Sequence, residues 1–320
     1  MKNLIVLFGG GGNEHDISKK SKEYLVSQIE SHINVFEVEI RRNGEWTLRD
    51  EVVYLTSVGL LNSERKLISS IDYVIPCIHG RPGEDGQIQG MLELLKIPFL
   101  GCKAQESLNC FNKLTTKSLL DNFAIPTVPF VALHTFKAEI IDKFFKEHKN
   151  IFVKANSEGS SVGCYHPKSL EQAYEATKEA FKYSKFVLLE KFIKGRELEV
   201  AAFEFDGQIH LSRPGEIITA DKFYDFEEKY SQTSKARIEI VSQLKESEIS
   251  KIQDLARRAF EVLNLRHLSR IDFFMDDNQI YINEINTFPG MTEISLFPKM
   301  MENYGVKFHD FLKDAISKSS

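Results

Sequence analysis

Three oxygen-bearing side chains, Asp272, Glu284 and Asn286, interrupt an otherwise apolar stretch near the end of the chain. Around them Ile271, Phe273 and Phe274, then Ile280, Ile282 and Ile285, spell two buried strands joined by a tight turn at Asp276-Asp277-Asn278. Side chains alternate along a strand, so Glu284 and Asn286, two apart, share a face. If the turn sets Asp272 opposite Glu284, the three converge on one point. Hard oxygen ligands on a rigid hairpin suit Mg²⁺, which keeps waters and takes a nucleotide's phosphates as further ligands. The competing reading is a set of ordinary acids on the solvated face of an edge strand. Apolar neighbours weigh against it, because unpaired carboxylates are rarely set among core residues.

A second chemical element is Lys154-Ala155-Asn156-Ser157-Glu158-Gly159-Ser160-Ser161-Val162-Gly163. A lysine at a strand end, followed by a glycine-serine loop, can wrap phosphate oxygens in backbone N–H groups while the ammonium offsets their charge. It is not a Walker A loop, because the lysine precedes the glycines. Taken alone, it has the composition of any flexible hairpin loop. Glu190-Lys191-Phe192-Ile193, with Glu197 beyond, offers backbone groups for a base edge and carboxylates for ribose hydroxyls. Glu14 follows the four glycines Gly9 to Gly12, and His79 to Gly86 forms a polar loop after another strand. In open α/β sheets ligands sit at such strand ends. Phe223 to Tyr230 is aromatic and charged without periodicity, which fits a closing loop.

The elements that must position these groups alternate through the first hundred residues. Leu4–Phe8, Asn34–Ile40 and Ile71–Ile78 read as strands, and Asp16–Ile29 and Gln87–Leu95 as helices, with Asp16 or Ser18 capping the first. This βαβ rhythm predicts a parallel sheet with helices on its faces. A helical linker spans Ala104 to Phe123. Beyond it come a strand Val128–Leu133, a helix Ala138–His148, a strand Ile151–Lys154, a helix Ser169–Phe181 and a strand Phe186–Lys191. The hairpin Leu198–Phe205 and Ile209–Leu211 turns at Asp206-Gly207, and Glu246–Leu263 forms a long helix before the acid-bearing hairpin. Boundaries near 101 and 190 divide the chain into units 1–101, 102–190 and 191–320.

The chain has 320 residues and a net charge of −5, which argues for two or three domains and against nonspecific nucleic-acid binding. The opening apolar run is too short for a signal peptide, and no stretch approaches a membrane span. Cys77, Cys102, Cys110 and Cys164 show no ligand spacing and read as reduced thiols of a cytoplasmic protein. The serine-rich last residues read as a frayed end.

Taken together, the segments LFGGGGNEHDIS, HGRPGEDGQIQG, NKLTTK, FVKANSEGSSVG, LEKFIKGRELEV, FYDFEEKY, RIDFF and NEINTFPGMTEISLFP resemble, in order, the D-alanine–D-alanine ligase family of the ATP-grasp superfamily. The resemblance runs from the first strand to about Pro298. It implies an α/β (α+β) chain of three domains: an amino-terminal substrate domain, and two that clasp ATP between their sheets. It also implies the joining of two D-alanines through a D-alanyl phosphate, giving ADP and phosphate, for peptidoglycan precursors. ATP and two Mg²⁺ ions, with Mn²⁺ as a substitute, would be required, and the family is commonly a homodimer.

Residue by residue, the resemblance implies that Lys113 and Lys154 bind ATP phosphates and Ser161 helps cover them. Glu190, Lys191, Ile193 and Glu197 would hold adenine and ribose. Asp272, Glu284 and Asn286 would hold the metal ions, in agreement with the reading from spacing. Glu14 would meet the ammonium of the first D-alanine and close the site together with Ser160 and Tyr230, while Lys229 reaches the γ-phosphate. Arg270 and the Gly290 backbone would stabilise the oxyanion, and Ser295 with the Leu296 backbone would bind the second carboxylate. His79 has two readings, a substrate-pocket residue or a histidine satisfied by nearby backbone.

Two departures stand out. Ala155 replaces the family's usual proline, with slightly more backbone freedom expected there. Ser231 to Ile240 is unlike the family patterns, which leaves selection between D-alanine and D-lactate or D-serine at the second site open; the Glu-Lys-Tyr ending at Tyr230 favours D-alanine. A dinucleotide-binding oxidoreductase is disfavoured, because Gly10, Gly12 and His15 occupy the fingerprint positions and the third glycine is missing. A serine hydrolase is disfavoured because no Gly-x-Ser-x-Gly elbow surrounds Ser160. A catalytically dead relative would have lost part of its charged set, and every charged position is filled.

Overall fold

The computed structural model describes residues 2–12, 14–159, 161–218, 237–277 and 279–318. Its first strand, β1 (Asn3–Gly9), is apolar and buried up to its glycine. β2 (Asn34–Ile40) and β8 (Tyr73–Cys77) flank it in parallel. The expected parallel sheet therefore exists, but its far edge is antiparallel. β3 (Trp46–Leu48) pairs with β2, and β4 (Glu51–Val52) pairs with β3. The connection from β2 to β3 spans only residues 41–45, far too short for the crossover a parallel pair needs. β5 (Tyr54–Thr56), β6 (Gly59–Leu61) and β7 (Leu67–Ser69) make a small separate sheet. Three-residue strands carry too little alternation to be read from sequence.

Helix α1 (His15–Ser27) begins one residue before the expected start. Its N-cap is Glu14, not Asp16 or Ser18, and no side chain caps it. Ser18 is used differently: its hydroxyl donates to Cys77 O and accepts from Gly9 N at 2.8 Å, which ties α1 to both β1 and β8. α2 (Gln87–Leu95) has the expected bounds. The helical linker is broken. α3 (Ala104–Phe111) and α4 (Lys113–Asn122) meet at Asn112, which leaves helical geometry at ψ 100° and caps α4 by accepting from Thr115 N. Asparagine competes with the helical backbone in this way, so a single periodic stretch becomes two helices.

The central sheet is antiparallel, in the order β11 (Cys164–Tyr165), β10 (Ile151–Ala155), β12 (Val187–Lys191), β9 (Phe130–Leu133). α5 (Ala138–His148) and α6 (Leu170–Ala180) bury Ile141, Phe144 and Ala173 against Val153 and Leu189 of this sheet. The third sheet holds β13 (Arg196–Phe205), β14 (Gln208–Leu211), β15 (Gly215–Ile218), β16 (Arg237–Glu239), β17 (Leu268–Met275) and β18 (Ile280–Asn286). α7 (Glu246–Val262) covers one face, where Ile252, Ala256 and Phe260 meet Leu198 and Val200. The other face is covered by α8 (Leu296–Tyr304) and α9 (Phe308–Ser317); of the serine-rich end expected to fray, residues 319 and 320 lie outside the described residues.

Those last two helices also pack on the first sheet. Leu4, Val6 and Ile75 share one cluster with Phe203, Met300 and Phe311. Full burial of each such side chain stabilises by about 1.5–3 kcal/mol. The first and third sheets are thus held by a common core, while the central sheet has a core of its own.

Candidate active site

The β17–β18 hairpin sets Asp272 opposite Glu284 and Arg270 opposite Asn286. Phe273 then pairs with Ile282, which leaves Asn283 as an extra residue on β18. A bulge of this kind re-aims a side chain. Asn283 uses it to accept a hydrogen bond from Lys154 Nζ of the central sheet at 3.1 Å. On the other side of β17, Glu199 of β13 stands opposite Asp272. Glu199, Asp272 and Glu284 therefore form a row of acids across three strands.

Like charges so close would repel without cations between them. Arg270, two residues from Asp272 and on the same face, donates to both of its carboxylate oxygens at 2.7 Å. Its Nε also lies 3.2 Å from Glu199 Oε2. Burial alone would lower the pKa of Arg270, but Asp272 and Glu199 outweigh it and hold the guanidinium well above its ordinary value. Asn286 donates to Asp272 at 3.0 Å, and Lys113 Nζ stands 3.7 Å from Glu284.

The central sheet supplies the other wall. Lys154 Nζ lies 2.6 Å from Glu190 Oε2, and Lys117 Nζ lies 2.9 Å from Glu190 Oε1. Glu190 is 1% exposed; burial would raise its pKa, but the two lysines carry it down to about 2. Its carboxylate is committed to these lysines, so what it offers a base is backbone. Of its neighbours, Lys191 donates its N–H to Pro129 O, and Ile193 is buried with Val128 and Tyr281 against Phe274. Glu197 pairs across β13–β17 with Phe274.

The loop from Asn156 to Gly163 is anchored at its start. Asn156 accepts from Lys113 N through its carbonyl at 3.0 Å and from Leu114 N through its side chain at 2.8 Å. Lys113 Nζ then donates to Glu158 O at 2.8 Å, so the first turn of α4 and the loop fix one another. Ser161 adopts φ +61°. The freedom expected at Ala155 is taken up, since its N–H donates to Gly163 O at 2.9 Å. A proline could not make that bond.

A cavity of about 650 Å³ lies between the acid-bearing hairpin, the start of α4 with Glu158 and Gly159 of the loop, and the first unit. Glu14, His79, Lys113, Arg270, Glu284, Asn286, Gly290, Ser295 and Leu296 line it. Lys154, Ser161, Glu190, Lys191, Ile193, Glu197 and Asp272 are not in its lining. Ser160, Lys229 and Tyr230 lie outside the described residues. His79 meets side chains, not the nearby backbone. It is 5% exposed, with Nε2 2.8 Å from Ser21 Oγ and Nδ1 3.6 Å from Glu84, yet it faces the cavity. Ser295 is the N-cap of α8, with its hydroxyl accepting from Thr292 N at 3.0 Å, and Leu296 opens the helix. The first amides of a helix have no partner within it and attract anions.

Three residues at this site escaped the sequence reading. Lys117 lies four after Lys113 on one helix, a spacing that puts both on one face. Glu199 lies two after Glu197 on a strand, again a readable signal. Asn283 had none, because its role depends on the bulge.

Two antiparallel sheets facing each other across a cleft of lysines and acids, with a parallel-sheet unit at one end, are the layout of the ATP-grasp fold. Residues 3–102 match the family model "D-ala D-ala ligase N-terminus", and residues 119–317 match "D-ala D-ala ligase C-terminus". The D-alanine–D-alanine ligase of Vibrio vulnificus is 45% identical over all of this chain and 99% of its own length. That of Shewanella pealeana is 46% identical over 98% of this chain and 97% of its own. Among solved structures, D-alanyl-alanine synthetase A from Vibrio cholerae superposes with a TM-score of 0.93 at 43% identity, covering 99% of this chain and 98% of that one. The VanG D-Ala:D-Ser ligase from Enterococcus faecalis does so with 0.89 at 28%, covering 100% and 99%. The chain belongs to the D-alanine–D-alanine ligase family. Among the described residues no helix is long and apolar enough to cross a membrane.

Proposed function

We propose that this chain joins two D-alanines to D-alanyl-D-alanine at the expense of ATP, giving ADP and phosphate, for peptidoglycan precursors in a bacterial cytoplasm. The observation that carries this reading is that Glu14, Lys113, Arg270, Glu284, Asn286 and Ser295 line one and the same cavity. Cations, acids and a helix N-terminus meet there, the groups that a triphosphate, an amine and a carboxylate require. The protein acts as a homodimer on this reading.

A carboxylate attacks ATP poorly because both are anionic. Lys113 and Lys154 offset that repulsion, and Lys229 is assigned to the γ-phosphate. Asp272, Glu284 and Asn286 fit a pair of Mg²⁺ ions, or Mn²⁺ in their place. They are hard oxygen donors on neighbouring strands, and both acids already attract cationic side chains. When bound, the metal supplies charge neutralisation at the phosphates.

Glu14 receives the ammonium of the first D-alanine, with His79 nearby in the same wall. Gly159 and Ser161 belong to the loop over the phosphates, and Ser160 and Tyr230 complete the closure with Glu14. Backbone groups of Glu190, Lys191 and Ile193 hold the adenine edge, and the Glu197 carboxylate receives the ribose hydroxyls. Attack by the second amine on D-alanyl phosphate creates a tetrahedral oxyanion that Arg270 and the Gly290 backbone stabilise. Ser295 and the Leu296 N–H receive the second carboxylate. The acyl phosphate is sensitive to water, so closure precedes reaction.

The test is Mg²⁺-dependent ADP release with D-alanine, L-alanine, or D-alanine plus D-lactate or D-serine, with products identified by mass. D-alanyl-D-alanine from D-alanine and no release with L-alanine is the expected outcome. A depsipeptide or D-alanyl-D-serine as main product would keep the mechanism and replace the second substrate. ATP binding without turnover would overturn the reading.

A further inference from the structure

The cleft contains one buried lysine to which none of the roles above applies. Lys117 is 1% exposed, stands one helical turn beyond Lys113 on α4, and lies 2.9 Å from Glu190 Oε1. Glu190 Oε2 is 2.6 Å from Lys154, whose ammonium also donates to Asn283. Among the described residues Glu190 is the only acid that forms an ion pair with Lys117. Two lysines and one glutamate thus share a buried site of net charge +1. Burying a lysine beside a glutamate gives little or no stability over apolar residues of similar size, since the cost of desolvation offsets the attraction. Fold stability is therefore a poor reason for Lys117 to be there.

Charge and geometry supply a better one. Without Lys117, Lys154 and Glu190 would form a closed neutral pair, free to engage through both carboxylate oxygens. With it, one oxygen of Glu190 is occupied and Lys154 keeps its place between Glu190 and Asn283. The surplus positive charge is then left for an anion. We infer that Lys117 is a positioning residue that, through Glu190, keeps the Lys154 ammonium available to the nucleotide's phosphates. This rests on the ATP-dependent reading above.

The test is calorimetric binding of Mg²⁺-ADP and of a non-hydrolysable ATP analogue to the full chain and three variants, with melting temperatures recorded. Binding to the unaltered chain checks the underlying reading; its absence would defeat that reading and not the inference alone. Lys117→Met should weaken nucleotide binding about tenfold, the size of effect expected from removing one buried charge-assisted contact. It should leave the Michaelis constant for D-alanine within about twofold of the original, since Lys117 itself does not line the substrate cavity. The double variant Lys117→Met/Glu190→Gln restores the net charge of +1, and should recover affinity to within about threefold of the original protein. Lys117→Arg keeps the charge and should bind within about threefold as well. Loss that persists in the double variant would overturn the inference, because Lys117 would then act other than through Glu190. Unchanged binding in Lys117→Met would overturn it too. A purely structural role would lower the melting temperature of Lys117→Met without any recovery of affinity in the double variant.

Discussion

Arg270 grips both carboxylate oxygens of Asp272 at 2.7 Å, from a position two residues away on the same strand. The guanidinium proposed to stabilise the oxyanion and the carboxylate proposed to hold metal are thereby one hydrogen-bonded unit. Arg270→Ala should reduce turnover by about two to three orders of magnitude, as for loss of an oxyanion donor. Nucleotide binding should survive. Steady-state turnover with a parallel binding titration checks this, and near-normal turnover would remove Arg270 from the mechanism.

Glu199 gives Arg270 a second carboxylate, with Oε2 3.2 Å from Nε. If Asp272 engages a metal ion, Glu199 is the neighbour that keeps the guanidinium aimed. In Glu199→Gln, Arg270 depends on Asp272 alone and competes with the metal for it. The half-saturating Mg²⁺ concentration should rise, and turnover should fall by about tenfold, the scale of a lost charged hydrogen bond. A Mn²⁺ titration followed by electron paramagnetic resonance reads the metal affinity directly; an unchanged curve would sink the prediction.

Gly80 has φ +66°, and a Cβ built on it would stand 2.8 Å from Glu14 Oε2. Gly80→Ala therefore adds a left-handed strain of about 1–2 kcal/mol and displaces the Glu14 carboxylate. The Michaelis constant for D-alanine should rise by about tenfold, the cost of one weakened charge-assisted contact, while that for ATP stays near its original value. Equal shifts in both constants would mean that the whole cleft had moved.

Glu190 makes an acid-range prediction. Its pKa falls from an ordinary 4.5 to about 2 in the folded protein, where Lys117 and Lys154 overcome the opposing effect of burial. A group with a depressed folded pKa contributes stability above its unfolded value and loses that contribution as pH drops through the folded one. Unfolding free energy should therefore fall as pH goes from about 4.5 to about 2. The stability difference between the original protein and Glu190→Gln should shrink over the same window. Denaturant titrations at several acid pH values measure it, and a constant difference would contradict the prediction.

Much of the site was readable because strand and helix periodicities are local. The two-residue spacing put Glu284 and Asn286 on one face, and the condition left on the turn, that Asp272 stand opposite Glu284, is met by the strand pairing. The bounds read for α2, ending ahead of Pro98, and for α5 are those of the structure. Where local rules compete, the sequence misled. Asn112 ended a helix that periodicity would have continued, and Ser18 left the cap of α1 to bridge two strands.

Other features have no local cause at all. The bulge at Asn283 exists only as a mismatch between two paired strands, and it is what lets β18 reach Lys154. Glu199 joins the acid row through the pairing of β13 with β17. Lys117 and Glu190 meet although they stand 73 positions apart in the chain (190 − 117), because the fold brings α4 and β12 within ion-pair distance. The sequence by itself determined which residue types face one another along a strand or helix, since backbone geometry repeats every two or 3.6 residues. Which carboxylate Lys117 and Lys154 meet was decided only by tertiary packing, because charges in a low-dielectric interior pair with whatever the fold brings within about 4 Å.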